Sequence, residues 1–324
     1  MRHDGRQQSR LTAGFQNAAR KGLPGKEENV IPRILARRQR DVSRAPEPAP
    51  RLPLARLAIH QSTTQCWSLP DAVAGYEQAG AAGIGVSLQK LEAIGRERAV
   101  PLLHQSPLRV TSLGWAGGFT GDHDQTFHDA VEEAIDAVLL ASAIGAESVH
   151  VLSGTAGGHI QSHARRLLTD GLKELTGVAR QANVRLDVQP MHRIFEREWS
   201  FLYGIDQTLE ILSRFSPDEV GLAFGTYHFW EEERLLDRLH ELMPWIGSVQ
   251  LSDWRDPPRC DNDRLLPGDG VIPLDEIVGE IERCGYHGCY EMEVWSRDLW
   301  KREPHGLIQQ AVERFRKLPV AALA

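Results

Sequence analysis

From residue 57 onward, short and continuous apolar runs alternate with longer segments of helical periodicity. The runs contain neighbouring apolar residues, which is the pattern of parallel strands that are buried on both faces. We predict strands at 57–60, 84–86, 109–113, 148–152, 185–189, 220–224, 247–252 and 289–294. We predict helices at 69–79, 125–144, 163–182, 205–215, 232–243, 274–284 and 303–317. The first helix has Ser68 as its expected N-cap and Pro70 in its first turn.

The number and spacing of these elements indicate the fold class. Eight strands, most of them followed by a helix, within about 270 residues match the (β/α)8 TIM barrel in count and length. A doubly wound open sheet is the alternative, but eight units are many for it and no GxGxxG follows the first strand. We therefore predict an α/β fold, with a single-domain TIM barrel over residues 53–320.

The N-terminal segment differs from the rest of the chain in composition. Residues 1–51 contain 12 Arg/Lys against 5 Asp/Glu, and residues 44–50 are rich in proline. Few aromatic residues and no periodicity predict a basic, disordered leader over residues 1–52. The whole chain has a formal net charge of −7, so the remainder is acidic, which argues against nucleic acid as a partner.

Other global features point to a cytoplasmic protein without a membrane partner. No apolar run is long enough for a transmembrane helix, and the N-terminus lacks a secretory apolar region. The four cysteines form no CxxC pair, which fits a reducing compartment better than a zinc knuckle or a disulfide framework. The sequence is compatible with a homo-oligomer and does not determine the oligomeric state.

Polar and aromatic residues follow the predicted strand ends, where the sites of TIM barrels form. They are His60 after the first strand, Gln189 and His192 after the fifth, His228 and Trp230 after the sixth, Gln250, Asp253 and Trp254 after the seventh, and Glu293 in the eighth. Aromatic faces cover the C–H edges of a polyol, while amides and carboxylates bond its hydroxyl groups. The expected partner is therefore a small-molecule sugar or polyol.

Several segments along the chain carry a resemblance to a known family. They are HQSTTQCWSL (60–69), AGAAGIGV (79–86), VQPMH (188–192), GTYHFW (225–230), VQLSDW (249–254), RLLPGDGVIP (264–273) and EMEVWS (291–296). From Leu57 to about Leu318 the chain resembles the sugar phosphate isomerase/epimerase superfamily, the xylose-isomerase-like TIM barrels. This resemblance is specific for the fold and implies little about the substrate.

The resemblance also implies a divalent metal, held by Glu after strand five, Asp after strand six, His or Gln in strand seven and Glu in strand eight. In this chain those positions carry Gln189, Gly225, Gln250 and Glu293. One carboxylate and two neutral amides attract Mg²⁺, Mn²⁺ or Zn²⁺ far less than three carboxylates do. We expect a weakened metal site or none. If a metal binds, Glu293 and Gln250 are its ligands, and Asp187 or His228 is recruited as a further ligand.

The family pattern further implies roles for individual residues. His228 and Asp253 occupy matching positions, and Arg264 begins the loop that contains PGDG (267–270). We predict an isomerase or epimerase of a sugar, keto-sugar or related polyol, with Glu293, His228 and Asp253 as catalytic residues. Without a metal, burial is expected to raise the pKa of Glu293. The expected substrate contacts come from His60, Gln189, His192, Trp230, Gln250, Trp254 and Arg264.

Two other functions remain open from the sequence. A lyase or dehydratase would form the same enolate and expel a β-substituent, a choice that depends on the substrate. A carbohydrate-binding barrel without catalysis would explain the missing metal carboxylates, but it would not explain the presence of His228, Asp253 and Glu293.

Overall fold

A computed structural model of the protein describes residues 51–121 and 125–320. These residues form a closed barrel of eight parallel strands in the order β1 to β8. The strands are β1 Leu57–His60, β2 Gly83–Ser87, β3 Arg109–Gly117, β4 Ser148–Leu152, β5 Arg185–Val188, β6 Val220–Gly225, β7 Ile246–Leu251 and β8 Tyr290–Met292. The predicted TIM barrel is confirmed, and the open-sheet alternative is wrong because β1 pairs with β8. The predicted leader lies outside the described residues, apart from Arg51 and Leu52.

Helices cover the outside of the barrel. They are α1 Leu69–Gln78, α2 Leu88–Ile94, α3 Arg96–Gln105, α4 Phe127–Ala143, α5 Gln161–Ala182, α6 Ile205–Leu212, α7 Thr226–Phe229, α8 Leu235–Leu242, α9 Leu274–Arg283 and α10 Pro304–Phe315. Ser68 caps α1 as predicted, since its hydroxyl accepts from the Asp71 backbone N–H at 3.3 Å. No helix within 51–121 and 125–320 is long and apolar enough to cross a membrane.

Two differences from the predicted elements matter for the site. The stretch after β2 contains α2 and α3, which were not predicted because Gly95 and Pro101 interrupt the helical pattern. β3 continues to Gly117, four residues beyond the prediction, because glycine-rich residues 114–117 keep pairing with β4. This extension places Trp115 on the barrel rim.

The strands bury their side chains on both faces, which explains their continuous apolar runs. β4 and β6 contain no exposed residue. The parallel register aligns the strand ends, with Gly225 beside Gln250 and Gln250 beside Glu291. The polar residues at these ends therefore lie on one rim of the barrel.

Candidate active site

Two glutamine amides form part of the floor of the site, held by a directional chain of hydrogen bonds. The Trp115 indole N–H donates to Gln189 Oε1 at 2.6 Å, and Gln189 Nε2 donates to Gln250 Oε1 at 2.9 Å. Gln250 Nε2 in turn lies 3.4 Å from His150 Nδ1, and His150 Nε2 lies 3.0 Å from the Ser248 hydroxyl. Burial lowers the pKa of His150 to about 4, so the ring is neutral and completes the chain.

Glu293 is the one acidic residue at the four family metal positions, and it faces a guanidinium. Its Oε2 accepts from Arg264 Nη1 at 2.8 Å, and both side chains are at least 95% buried. The Arg264 guanidinium carbon also lies 4.7 Å from the centre of the Tyr227 ring. Glu293 Oε1 has no hydrogen-bond partner among the described residues. Burial raises the pKa of Glu293, and Arg264 partly opposes this effect.

Gly225, which stands where the family carries an aspartate, makes room for His228. A Cβ at position 225 would lie 2.7 Å from His228 Cδ2, so the ring folds back over the end of β6. The ring is fixed by the His192 backbone N–H, which donates to His228 Nδ1 at 3.0 Å. An aspartate at position 225 would require His228 to move.

His228 and Arg264 converge as two hydrogen-bond donors. Burial, together with Arg264 and His192, holds the pKa of His228 well below its usual value, so the ring is neutral. Because Nδ1 accepts from His192, the single proton of the neutral ring belongs on Nε2. This nitrogen lies 3.3 Å from Arg264 Nη2, which is also a donor. An acceptor oxygen beside this pair, within hydrogen-bond distance of both nitrogens, would satisfy both donors.

The side chains at the family metal positions do not fit a divalent cation. The side-chain oxygens of Gln189 and Gln250 are engaged by N–H donors, and a charged guanidinium occupies one oxygen of Glu293. A cation at this place would be repelled by Arg264 and would meet one carboxylate where hard metal ions prefer several. The described residues contain no group of three or more His, Cys, Asp or Glu that could hold a metal ion.

Asp187, considered above as a recruit for the metal, faces away from the rim. Its carboxylate accepts from Arg185 Nε at 2.7 Å and from Arg185 Nη2 at 3.1 Å, near the N-terminal end of β5. The other recruit, His228, presents an N–H and not a lone pair. This geometry therefore does not support either residue as a recruited metal ligand.

Asp253 is saturated by backbone amides and anchors the loop that contains Arg264. Its carboxylate accepts from the N–H groups of Trp254, Gly268, Gly270 and Ile272 at 2.8–3.0 Å. A side chain at Gly270 would collide with Trp254 O at 2.3 Å, which explains the second glycine of PGDG. This geometry makes Asp253 a positioning residue and does not support its predicted catalytic role.

The aromatic residues predicted to contact substrate pack mainly on one another. The Trp254 ring centre lies 4.8 Å from that of His192 and 5.7 Å from that of Trp230, and His192 Nε2 pairs with Glu231 at 2.8 Å. Trp230, Trp254 and His192 do not line the two rim cavities described below. Their predicted substrate contact remains a prediction that this packing does not favour.

Two cavities open at the rim, on either side of a pair of tryptophans. A small cavity of about 20 Å³ is lined by Gln189 and Arg264, and a larger one of about 270 Å³ is lined by His60. Trp115 and Trp295 line both cavities, and their ring centres are 5.1 Å apart. The sequence analysis missed Trp115 because the predicted β3 ended before it.

A buried carboxyl below the rim provides a stability prediction. Glu291 is fully buried, accepts from the Thr111 hydroxyl at 2.6 Å, and has its pKa raised by burial to about 7. Between about pH 4.5 and 7 the folded protein retains a proton that the unfolded chain releases, so stability falls as pH rises. Glu291→Gln should remove this fall and be up to about 3 kcal/mol more stable than the native protein above pH 7.

The measurement is urea denaturation between pH 4 and 8. The exposed Glu276→Gln, on α9, is the matched control and should differ from the native protein by a constant amount. Parallel stability curves for Glu291→Gln and the native protein would contradict the raised pKa.

The barrel and its rim define a member of the xylose-isomerase-like class. Residues 73–318 match the family model described as Xylose isomerase-like TIM barrel, and the chain belongs to this family. Among curated relatives, it is 22% identical to the inosose isomerase of Halalkalibacterium halodurans over 156 residues, which are 47% of this chain and 54% of that protein. The chain thus spans about half the length of this relative.

Solved structures extend the likeness over the barrel. Protein SMc04130 from Sinorhizobium meliloti 1021 is 28% identical with a TM-score of 0.78, covering 82% of this chain and 99% of its own. The IOLI protein, solved with a bound zinc atom, is 19% identical with a TM-score of 0.72, covering 80% of this chain and 96% of its own. The second likeness shows the fold alone. Zinc binding is a property of that protein and does not fit the donor set of this chain.

Proposed function

We propose that the protein is an isomerase or epimerase of a keto-sugar or keto-polyol, acting by proton transfer next to a carbonyl group. The observation that carries the proposal is the convergence of two donors, Arg264 and the His228 Nε2–H, beside the unpartnered Oε1 of Glu293. The match to an inosose isomerase supports a polyhydroxylated ketone as substrate. The cytoplasmic location and the oligomeric state stay predictions.

Arg264 and His228 stabilise the negative charge that develops on oxygen. The substrate carbonyl oxygen accepts from the guanidinium and from His228 Nε2, which removes the unfavourable approach of two donors. When the adjacent C–H bond breaks, its electron pair forms the enediolate and charge moves to this oxygen. Fixed donors in a buried site stabilise that charge more than water does. The fixed positive charge of Arg264 thus supplies the electrostatic role that the family assigns to a metal ion.

Glu293 accepts and returns the proton. Its Oε1 is available, and its raised pKa brings it closer to the neutral range in which proton exchange is efficient. The carboxylate takes the proton from the carbon next to the carbonyl. For isomerisation it returns this proton to the former carbonyl carbon on the same face, while the hydroxyl proton of the enediolate passes to the former carbonyl oxygen. For epimerisation the enediolate turns its other face to Glu293 before the same carboxylate returns the proton. His228 remains neutral throughout, so it contributes to catalysis as a hydrogen-bond donor and does not transfer a proton.

Access to these groups requires the tryptophans to move. The small cavity beside Arg264 has about 20 Å³, enough for roughly one water molecule. Trp115 and Trp295 separate it from the larger cavity. Substrate therefore reaches Glu293 after these side chains turn, and binding should change the tryptophan fluorescence.

The test is deuterium exchange from D₂O into a keto-inositol, followed by NMR. Exchange next to the carbonyl should fall by about 10²–10⁴-fold in Glu293→Gln, whereas the exposed Glu276→Gln should retain it. Circular dichroism verifies that the variants are folded. A chelator should not change the rate, because Arg264 supplies the positive charge.

The outcomes separate the competing functions. Exchange that a chelator abolishes and zinc restores would overturn the role of Arg264. Loss of a β-hydroxyl with formation of an unsaturated ketone would identify the lyase or dehydratase. Binding of the keto-inositol without exchange or isomerisation would favour the carbohydrate-binding barrel.

A further inference from the structure

The larger cavity lies apart from the proton-transfer groups, above the ends of β1, β2 and β3. Its lining combines the ends of these strands with α2, α4 and the rim tryptophans. Glu293, His228 and Arg264 do not line it in the described structure. With about 270 Å³ it falls just below the range of roughly 300–1,000 Å³ that is typical of small-molecule pockets. It therefore has room for a substrate portion that does not react.

The walls suit a polyhydroxylated ring. Trp115, Trp295 and Trp300 present indole surfaces that can cover C–H faces. Gln65, Gln89 and Asn262 line the same space and offer both donors and acceptors to hydroxyl groups. Such a combination of apolar faces with a few polar groups fixes the orientation of a bound small molecule and makes its binding specific.

His60 adds a buried donor that lacks a partner. Its Nδ1 accepts from the Ser62 backbone N–H at 3.2 Å, so the Ser62 hydroxyl, 2.8 Å from the same nitrogen, also acts as a donor to it. Burial lowers the pKa of the ring, and the neutral ring therefore has its proton on Nε2. Nε2 has no hydrogen-bond partner among the described residues, and His60 is fully buried. A Cβ at Gly114, another lining residue, would lie 4.0 Å from Nε2, so this donor faces the cavity wall at Gly114. A ligand hydroxyl oxygen would satisfy it.

The charges at the cavity disfavour anions. Among the described residues, the carboxylates of Glu92, Glu133 and Asp136 line it together with one guanidinium, that of Arg96. A phosphate group placed among them would be repelled, whereas neutral hydroxyl groups would find acceptors.

We propose that this cavity binds the non-reacting part of an extended, uncharged substrate, a second sugar ring or a comparable polyol, and excludes phosphorylated sugars. The proposal rests on the proposed function, because the reacting ketone of the same molecule lies beyond Trp115 and Trp295, at Arg264. It names a substrate class larger than a single ring.

The test measures binding by titration calorimetry and tryptophan fluorescence. The probes are neutral disaccharides (cellobiose, maltose and trehalose) and glucose 6-phosphate. We expect at least one disaccharide to bind at millimolar concentration and glucose 6-phosphate not to bind. Ala137→Phe fills the cavity from α4 and should weaken disaccharide binding by about tenfold or more. The matched control is Ala143→Phe, on the exposed end of the same helix, which should bind as the native protein does.

Further variants keep the test decisive. If Ala137→Phe does not fold, Ser87→Trp at the half-buried mouth of the cavity takes its place. Binding that neither filling variant weakens would overturn the proposal, as would tight binding of glucose 6-phosphate or no binding of any disaccharide. Exchange of the keto-inositol without disaccharide binding would remove this inference and leave the proposed function intact. Disaccharide binding without exchange would remove the proposed function, and with it the statement that the bound ring belongs to a substrate, and would leave the cavity as a carbohydrate-binding site.

Discussion

Arg264→Met should lower the free energy of unfolding by about 3–5 kcal/mol, the range measured when one partner of a buried ion pair is removed. The substitution leaves the Glu293 carboxylate 1% exposed and without a compensating charge. The unpaired carboxyl can take a proton, and its pKa is already raised by burial. The loss should therefore be larger at pH 8 than at pH 5, which urea denaturation at both values measures.

The control for this prediction is an exposed ion pair of the same chemistry. Arg180 pairs with Glu219 at 2.9 Å, with 69% of the arginine side chain exposed, and Arg180→Met should cost no more than about 1 kcal/mol. Adding Glu293→Gln to Arg264→Met should restore most of the lost stability, because no buried charge is then unpaired. If Arg264→Met lowers the free energy of unfolding no more than Arg180→Met does, the buried ion pair does not stabilise the site.

The fold could be predicted because each barrel strand has a recognisable pattern within its own residues. Each strand is buried on both faces, so its apolar run is continuous and visible without knowledge of its neighbours. The errors fall where glycine or proline breaks the pattern. Gly95 and Pro101 conceal α2 and α3, and the glycines of residues 114–117 make the end of β3 resemble a loop. The position of Trp115 on the rim was therefore not predicted, because the predicted strand ended before it.

The site could be predicted only in part because its contacts depend on loops. The rule that polar residues gather at strand ends located Gln189, Gln250 and Glu293 on one rim. The pairing of Glu293 with Arg264 joins side chains 29 residues apart and depends on the path of the loop after β7. No pattern in the sequence distinguishes this contact from an arginine that points to solvent.

The glycine at the family's strand-six aspartate position belongs to one rearrangement with His228 and Arg264. Gly225 permits His228 to lie over the end of β6, and this position brings its ring nitrogen beside Arg264. Restoring a carboxylate with Gly225→Asp places its Cβ 2.7 Å from the His228 ring. We therefore expect that Gly225→Asp with Gln189→Glu rebuilds a metal site only if His228 and Arg264 both move.

Asp253→Asn should destabilise the protein by about 4 kcal/mol, because an amide group cannot accept from four backbone N–H groups as the carboxylate does. The amide NH₂ group would face two of these donors. The amide oxygen can still accept from Trp254 and Ile272, which share Oδ1 in the native protein, and the NH₂ group then faces the N–H groups of Gly268 and Gly270, which share Oδ2. The exposed Asp256→Asn, three residues further along, is the matched control and should be nearly neutral in thermal and urea denaturation.

The same variant tests the positioning role of Asp253. Backbone hydrogen bonds of 2.9 Å join Asp253 to Leu265, the neighbour of Arg264, so a loosened loop should misplace the guanidinium. In the folded fraction, deuterium exchange should then slow, and its pH profile should shift because Glu293 loses a fixed positive charge beside it. A folded Asp253→Asn protein with the native rate and pH profile would show that the loop holds Arg264 without this carboxylate.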